Sequence, residues 1–457
     1  MVFSSLLFLF WFMPLFFAVY YITPKRAKNA VLFAGSIVFY GWGEPKYLIL
    51  ILVSVLFNYL AGLLINALYG RTALRRAVFS LSVAFNTGVL FFFKYINFFI
   101  ININRLAGTS ITQADVTLPL GISFYTFQIM SYIIDLYRER VAVERSFLRL
   151  GTYIVMFPQL IAGPIVVYSE VNEGLLGRRI TPGDAEEGLK LFVVGLASKV
   201  MIANNVGRLW NEIGEIGFSN ISTALAWLGA IAFTLQIYFD FNGYSLMAVG
   251  LGRMLGFCFP RNFNYPYISG SVTEFWRRWH ITLSSWFRDY LYIPLGGNRR
   301  GRLRTYVNLF IVWFVTGFWH GADWNFILWG IYFFILILLE RIFLLRFLEK
   351  HGIFSHVYTM LAVIVSWVIF AVTDLKELGV YLGRMFLPRT GSDALYYLGN
   401  YGFIILLGCV LSTPAAKGLY GRVKDGLCGT VISAVLFFLC VAYLADASFN
   451  PFLYFRF

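Results

Sequence analysis

Apolar stretches follow one another from residue 3 to residue 446 with no long polar interval between them, and this pattern constrains the fold more than any motif does. A helix needs about 20 mostly apolar residues to cross a bilayer, and several of these stretches are that long. Composition points the same way. The chain is 59% hydrophobic and 13% charged, with a mean hydropathy of +0.72, whereas soluble globular chains are about half apolar and a quarter charged. The sequence predicts an all-α, polytopic integral membrane protein forming a single membrane domain over residues 1–457, without a soluble appendage.

The first stretch, 3–23, lacks a basic n-region and a small-residue cleavage site, and is followed by Lys25, Arg26 and Lys28. It reads as an anchor with its amino end outside, not as a removable signal. Further spans are expected at about 30–42, 47–69, 77–100 and 117–137. Their loops alternate in charge. Arg71, Arg75 and Arg76 fill one, and Arg138, Arg140, Arg145 and Arg149 another, whereas 43–46 holds only Lys46 and 101–116 only Arg105. Basic loops collect in the cytoplasm, so the alternation gives a consistent orientation. It also accounts for the formal charge of +14 without a nucleic-acid partner.

Pro119, Gly121, Pro158, Gly163 and Pro164 interrupt apolar segments. Broken helices survive at membrane depth only where protein or a water-filled cavity satisfies the freed backbone, so re-entrant pieces and an internal cavity are expected here. A polar stretch at 169–190 reads as a loop with a surface helix. Helices at about 188–207 and 222–251 follow, the second carrying Gln236, Asp240 and Asn242 among aromatic residues. These polar groups suit either a hydrogen-bonded helix contact or the polar lining of a cavity. Later spans are expected at about 307–319, 325–345, 357–373, 395–412 and 430–446, giving about eleven crossings.

Two of the chain's four histidines lie in the aromatic, basic region from 276 to 330. Glu274 and Arg278 are spaced i, i+4, as are Trp276, His280, Ser284 and Arg288, so one continuous helix would align the latter four on a face. Pro294 and a GGN turn at 296–298 end that helix, and Arg299, Arg300, Arg302 and Arg304 cluster before the next span. His320 sits in TGFWHGADWNFILWG. Gly317 and Gly321 would admit a close backbone, Trp319, Trp324 and Trp329 would wall off the ring, and Asp323 could fix its tautomer. A dry imidazole with an ordinary pKa near 6.5 can take a proton from a hydroxyl, and it can equally bond two helices together. His280, beside Arg277, Arg278 and Arg288, suits a supporting role.

The two histidines, forty residues apart and without a convincing carboxylate partner, make a poor zinc signature, and the four cysteines show no ligand or disulfide spacing. No metal is expected. Cys258 as a thiol acyl carrier has no dedicated base nearby. Walker, GxGxxG, GxSxG and HExxH motifs are absent, so ATP hydrolysis, dinucleotide binding and serine-hydrolase chemistry have no local support.

Several long runs resemble the membrane-bound O-acyltransferases, in particular their bacterial alginate O-acetyltransferase branch. They are LPLGISFYTFQIMSYIIDLYR, FPQLIAGPIVVYSE, QIYFDFNGYSLMAVGLGRMLGF, NFNYPYIS, EFWRRWHITLSSWFRDYLYIPLGGNRRG, TGFWHGADWNFILWG and the terminal FNPFLYFRF. The resemblance implies helices around a central tunnel or funnel in a bacterial inner membrane. Acetyl-CoA would enter as acyl donor from the cytoplasm, and an acceptor would be reached from the other side. It implies His320 as catalytic base and His280 as its assistant, with Trp276, Arg277, Arg278, Ser284, Arg288, Asp240, Asn242 and Asp323 along the substrate route. Arg299, Arg300, Arg302 and Arg304 are a landing place for coenzyme A phosphates on charge grounds alone.

The chain departs from the family pattern at Asn242 and Leu246, where many relatives carry serine and aspartate, and in lacking an arginine within 367–372. With no soluble carbohydrate-binding domain expected, a separate periplasmic acetyltransferase or acyl carrier would pass the acetyl group to an exported polysaccharide. D-alanyl transfer to teichoic acid and acetylation of peptidoglycan or cellulose are neighbouring readings. A polysaccharide-precursor transporter is a different one, for which inverted repeats are missing.

Overall fold

The computed structural model describes residues 1–423 and 426–446, and every regular element among them is helical. The FNPFLYFRF stretch lies outside the described residues. Eight helices are long and apolar enough to cross a membrane. They correspond to the spans expected near 47–69, 77–100, 188–207, 222–251, 325–345, 357–373, 395–412 and 430–446. The remaining four expected spans are helices of another kind. Phe8–Ile22 (α1), Lys28–Gly43 (α2) and Ile122–Tyr137 are each shorter than 18 residues, and Arg302–His320 is diluted by arginines, Asn308 and Thr316. About eleven crossings therefore exceeds what length and composition support.

The chain divides into two compact units. The first comprises Met1–Phe192 and Met247–Pro260. It holds α1, α2, α3 (Pro45–Ala67), α4 (Thr72–Ala107), α5 (Ile122–Tyr137), α6 (Phe147–Val155) and α7 (Tyr168–Leu176). The interrupted segment 156–166 is buried here, and side chains satisfy its backbone. Ser36 Oγ accepts from Phe157 N (3.1 Å), Gln159 donates to Tyr153 O (2.5 Å), and Tyr153 OH donates to Val166 O (3.0 Å). The irregular backbone is thus tolerated because protein surrounds it. Gly121, at φ +74°, opens α5 where a Cβ would strike the Leu160 carbonyl. The expected surface helix in 169–190 is α7.

Two long helices each belong partly to both units: α8 (Pro182–Ile216), which runs from the first into the second, and α9 (Thr223–Met254), which returns. The second unit adds α10 (Val272–Arg278), α11 (Ile281–Phe287), α12 (Arg302–His320), α13 (Trp324–Leu348), α14 (Gly352–Ala371), α15 (Leu375–Phe386), α16 (Asp393–Leu411) and α17 (Gly426–Asp446). Of the most apolar 18-residue stretch, 78% is buried in α9 against 17% in α17 and 11% in α16. That contrast makes α9 an interior helix and leaves α16 and α17 to face lipid.

Candidate active site

Both motif histidines belong to the second unit. His320 is the last residue of α12, before Gly321 and the short turn into α13. α12 and α13 meet backbone to backbone at Gly317 and Gly330. A Cβ on Gly317 would run into the Phe326 carbonyl, and one on Gly330 into that of Trp313. This approach draws three rings edge-on around the imidazole: Trp319 at 5.0 Å, Trp329 at 5.0 Å and Phe370 at 5.3 Å between centroids. Trp324 does not join them, being 46% exposed, and Phe370 takes the place that the sequence suggested for it. Asn325, which the sequence reading passed over, fixes Phe370. Its Nδ2 donates to the carbonyls of Ile369 (3.1 Å) and Phe370 (3.0 Å), two of the four acceptors that the end of α14 leaves without helical partners.

His280 is fully buried and breaks the helix expected through it. α10 ends at Arg278 and α11 begins at Ile281, with His280 in the left-handed region (φ +44°, ψ +54°) between them. The i, i+4 alignment of Trp276, His280, Ser284 and Arg288 is therefore lost. A left-handed residue with a Cβ costs roughly 1–2 kcal/mol, and Asn262 holds it in place. The Asn262 carbonyl accepts from Ile281 N (2.9 Å). Its side-chain Oδ1 accepts from Thr282 N (3.3 Å) and Thr282 Oγ1 (3.0 Å) and lies 3.0 Å from His280 Nδ1. Phe241 meets the imidazole edge-on at 4.7 Å, and Trp319 stands 6.5 Å away. Trp319 thus neighbours both histidines.

Trp276 packs against Trp313 (4.8 Å), Phe333 (5.0 Å) and Trp329 (5.5 Å), and Ser284 donates to its carbonyl (3.3 Å). The start of α10 is pinned by Glu340, a buried carboxylate of α13 that accepts from Val272 N (2.6 Å), Thr273 N (2.9 Å) and Thr273 Oγ1 (2.6 Å). A carboxylate on the exposed N–H groups of a helix start suits both their hydrogen bonding and the helix dipole. The expected Glu274–Arg278 pair forms at 2.8 Å.

Other expected residues lie elsewhere. Arg277 and Arg288 are exposed, Arg288 pairing with Asp289 at 2.8 Å. Asp323 is exposed at the start of α13. Asp240 is buried in α9 and ion-paired at 2.6 Å with Lys199, which also donates to Asn204 (3.0 Å). That geometry favours the helix-contact reading of the polar run. Asn242 and Leu246 are half-buried. Arg299, Arg300, Arg302 and Arg304 are all exposed around the turn in which Gly296, Gly297 and Gly301 adopt positive φ.

Several buried polar atoms here find no partner in the protein: His280 Nε2, Trp276 Nε1 and Trp329 Nε1. An unsatisfied buried polar group costs about 1–3 kcal/mol, so each of these three atoms would gain from a ligand or water within hydrogen-bond reach. Among the described residues no cluster of three or more histidine, cysteine or acidic side chains could hold a metal. Cys258 is exposed and free.

The profile of the membrane-bound O-acyltransferase family matches residues 44–379. The chain is 37% identical to "Probable alginate O-acetylase AlgI" of Pseudomonas putida over the full length of both proteins. Its identity to the Pseudomonas aeruginosa protein of that name is 42%, covering 82% of this chain and 73% of the relative. It is also 35% identical to "Peptidoglycan O-acetyltransferase" of Helicobacter pylori, over 82% of this chain and 78% of that one.

Proposed function

Because the chain belongs to the membrane-bound O-acyltransferase family, and is therefore a multi-pass membrane O-acyltransferase, we propose that it takes acetyl groups from cytoplasmic acetyl-CoA. It delivers them across the bacterial inner membrane for O-acetylation of an exported polysaccharide such as alginate. The observation that carries this reading is the pair of motif histidines flanking one tryptophan ring, Trp319, inside the stretch that matches the family. The whole chain, 1–457, acts as one acyltransferase domain in this reading, its helices enclosing a tunnel or funnel.

A thioester is already activated, so the protein has three tasks: align it, exclude water and remove one proton. The acceptor hydroxyl attacks the acetyl carbonyl. His320 takes the hydroxyl proton as the C–O bond forms, the C–S bond breaks, and coenzyme A leaves as a thiolate that picks up a proton. General base catalysis contributes about 10²–10⁴-fold, and alignment in a confined site several kcal/mol more. The aromatic rings around His320 keep the ring dry, and the carbonyl end of α12 offsets the positive charge that develops on it. His280 assists, Trp276 and Ser284 shape the site, and Arg277, Arg278 and Arg288 belong to the approach. Asp240 holds α8 to α9 through Lys199. The exposed arginines at 299–304 receive the coenzyme A phosphates.

The first acceptor is a hydroxyl of a separate periplasmic acetyltransferase or acyl carrier, which passes the group to the polymer. The Helicobacter relative supports a second acceptor class, a cell-wall glycan, by the same chemistry. Sealed membrane vesicles given acetyl-labelled acetyl-CoA on the cytoplasmic side test the proposal. Label is expected on a periplasmic polymer or protein with the wild type and none with His320→Ala. Label on peptidoglycan alone would move the second reading ahead, and label retained in the His320→Ala vesicles would overturn the assignment.

A further inference from the structure

Asn262 lies outside every motif role considered above, yet it meets the His280 segment at four points. Its Oδ1 receives Thr282 N at 3.3 Å and Thr282 Oγ1 at 3.0 Å, with His280 Nδ1 at 3.0 Å. A backbone N–H can only donate, so the atom facing it must be the amide oxygen. Rotating the amide would set an NH2 group against that N–H. An oxygen at this position requires a hydrogen on His280 Nδ1, and a neutral imidazole has only one ring N–H. Nε2 therefore carries the lone pair. That atom is buried and finds no partner in the protein. A histidine serving only to tie helices together would bond at both ends.

We infer that Asn262 is a positioning residue which holds His280 as its Nδ1–H tautomer and so presents Nε2 as a proton acceptor to a hydroxyl or water of the reaction. The inference rests on the acyl-transfer reading for its purpose but not for its geometry. The left-handed backbone at His280 belongs to the same device. It is a strained conformation of the kind that persists where surroundings over-determine it, and here the Asn262 carbonyl and amide both fix it. His280 then contributes an acceptor close to Trp319, whose other neighbour is the His320 ring.

The test uses the full-length protein in nanodiscs with ¹⁵N-labelled histidine. Only four rings report, and His280→Gln assigns the signals of one of them. Solid-state NMR separates protonated from bare ring nitrogens. The expected wild-type spectrum shows His280 with Nδ1 protonated and Nε2 bare at neutral pH. Asn262→Leu should mix the tautomers and lower kcat about 10²-fold, the lower range for a proton-transfer group, with KM for acetyl-CoA unchanged. Asn262→Asp, which keeps an acceptor oxygen, should restore the Nδ1–H form and most of kcat. Thr282→Val, which removes one donor and leaves the ring's bond, should do neither harm. A wild-type Nε2–H tautomer, or Asn262→Leu with unchanged tautomer and kcat, overturns the inference. The tautomer is read without turnover, so a correct spectrum from a protein that never consumes thioester would overturn the acyl-transfer reading and leave the geometry standing.

Discussion

At the scale of single residues, the histidines were legible and their partners were not. An imidazole among tryptophans in a membrane segment is conspicuous by rarity, so His280 and His320 stood out from composition and context alone. Asn262, Asn325 and Lys199 act on residues far along the chain, and nothing local in the sequence distinguishes an asparagine that grips a distant carbonyl from one that faces lipid headgroups. Lys199 and Asp240 give a direct check. Both are nearly fully buried and 2.6 Å apart, and removing one partner of a buried pair costs about 3–5 kcal/mol. Lys199→Met or Asp240→Leu alone should lower the thermal midpoint in detergent sharply, whereas the double variant should recover most of it. A double variant that loses the sum of the two single losses would show that the pair is uncoupled and contributes nothing.

At the scale of elements, the sequence pattern predicted a continuous helix through His280 and missed the break. No glycine or proline marks it. The left-handed turn is imposed by Asn262, a tertiary contact overriding a local pattern. The α12–α13 contact was half legible, since Gly317 was named for a close approach but its partner Gly330 was not. Gly330→Ala places a Cβ against the Trp313 carbonyl, and overpacking of this kind costs about 1–3 kcal/mol. We expect reduced thermal stability together with a lower kcat, because the same contact sets the rings around His320. Unchanged kcat would separate the helix contact from catalysis. Glu340→Gln should destabilise α10 by about 1–3 kcal/mol, the cost of weakening charge-assisted bonds to buried donors. Hydrogen exchange at Val272 and Thr273 would rise.

For the molecule as a whole, hydropathy revealed an all-helical membrane protein, and eight of the expected spans are long and apolar enough to cross a membrane. The short apolar helix α5 packs within the protein, nearly all of its residues being buried, and periodicity alone cannot separate such a helix from a lipid-facing span. The interrupted segment at 156–166 was legible as a break; that Ser36 and Tyr153 satisfy it was not. Charge adds a testable asymmetry. Replacing Arg299, Arg300, Arg302 and Arg304 with glutamine should raise KM for acetyl-CoA about tenfold and flatten its dependence on ionic strength, as expected for exposed cations screened over a Debye length of about 8 Å at physiological salt. A wild-type KM indifferent to salt would send the phosphates elsewhere.

The central claim is that this membrane protein transfers an acetyl group with His320 as base. Its most direct test is thioester consumption by purified protein in nanodiscs, with acetyl-labelled acetyl-CoA and the periplasmic partner present, comparing wild type with His320→Ala. The wild type should release free coenzyme A, and the variant, folded to the same thermal midpoint, should be slower by at least about 10²-fold. Equal release by both proteins, or none by the wild type, would contradict the account.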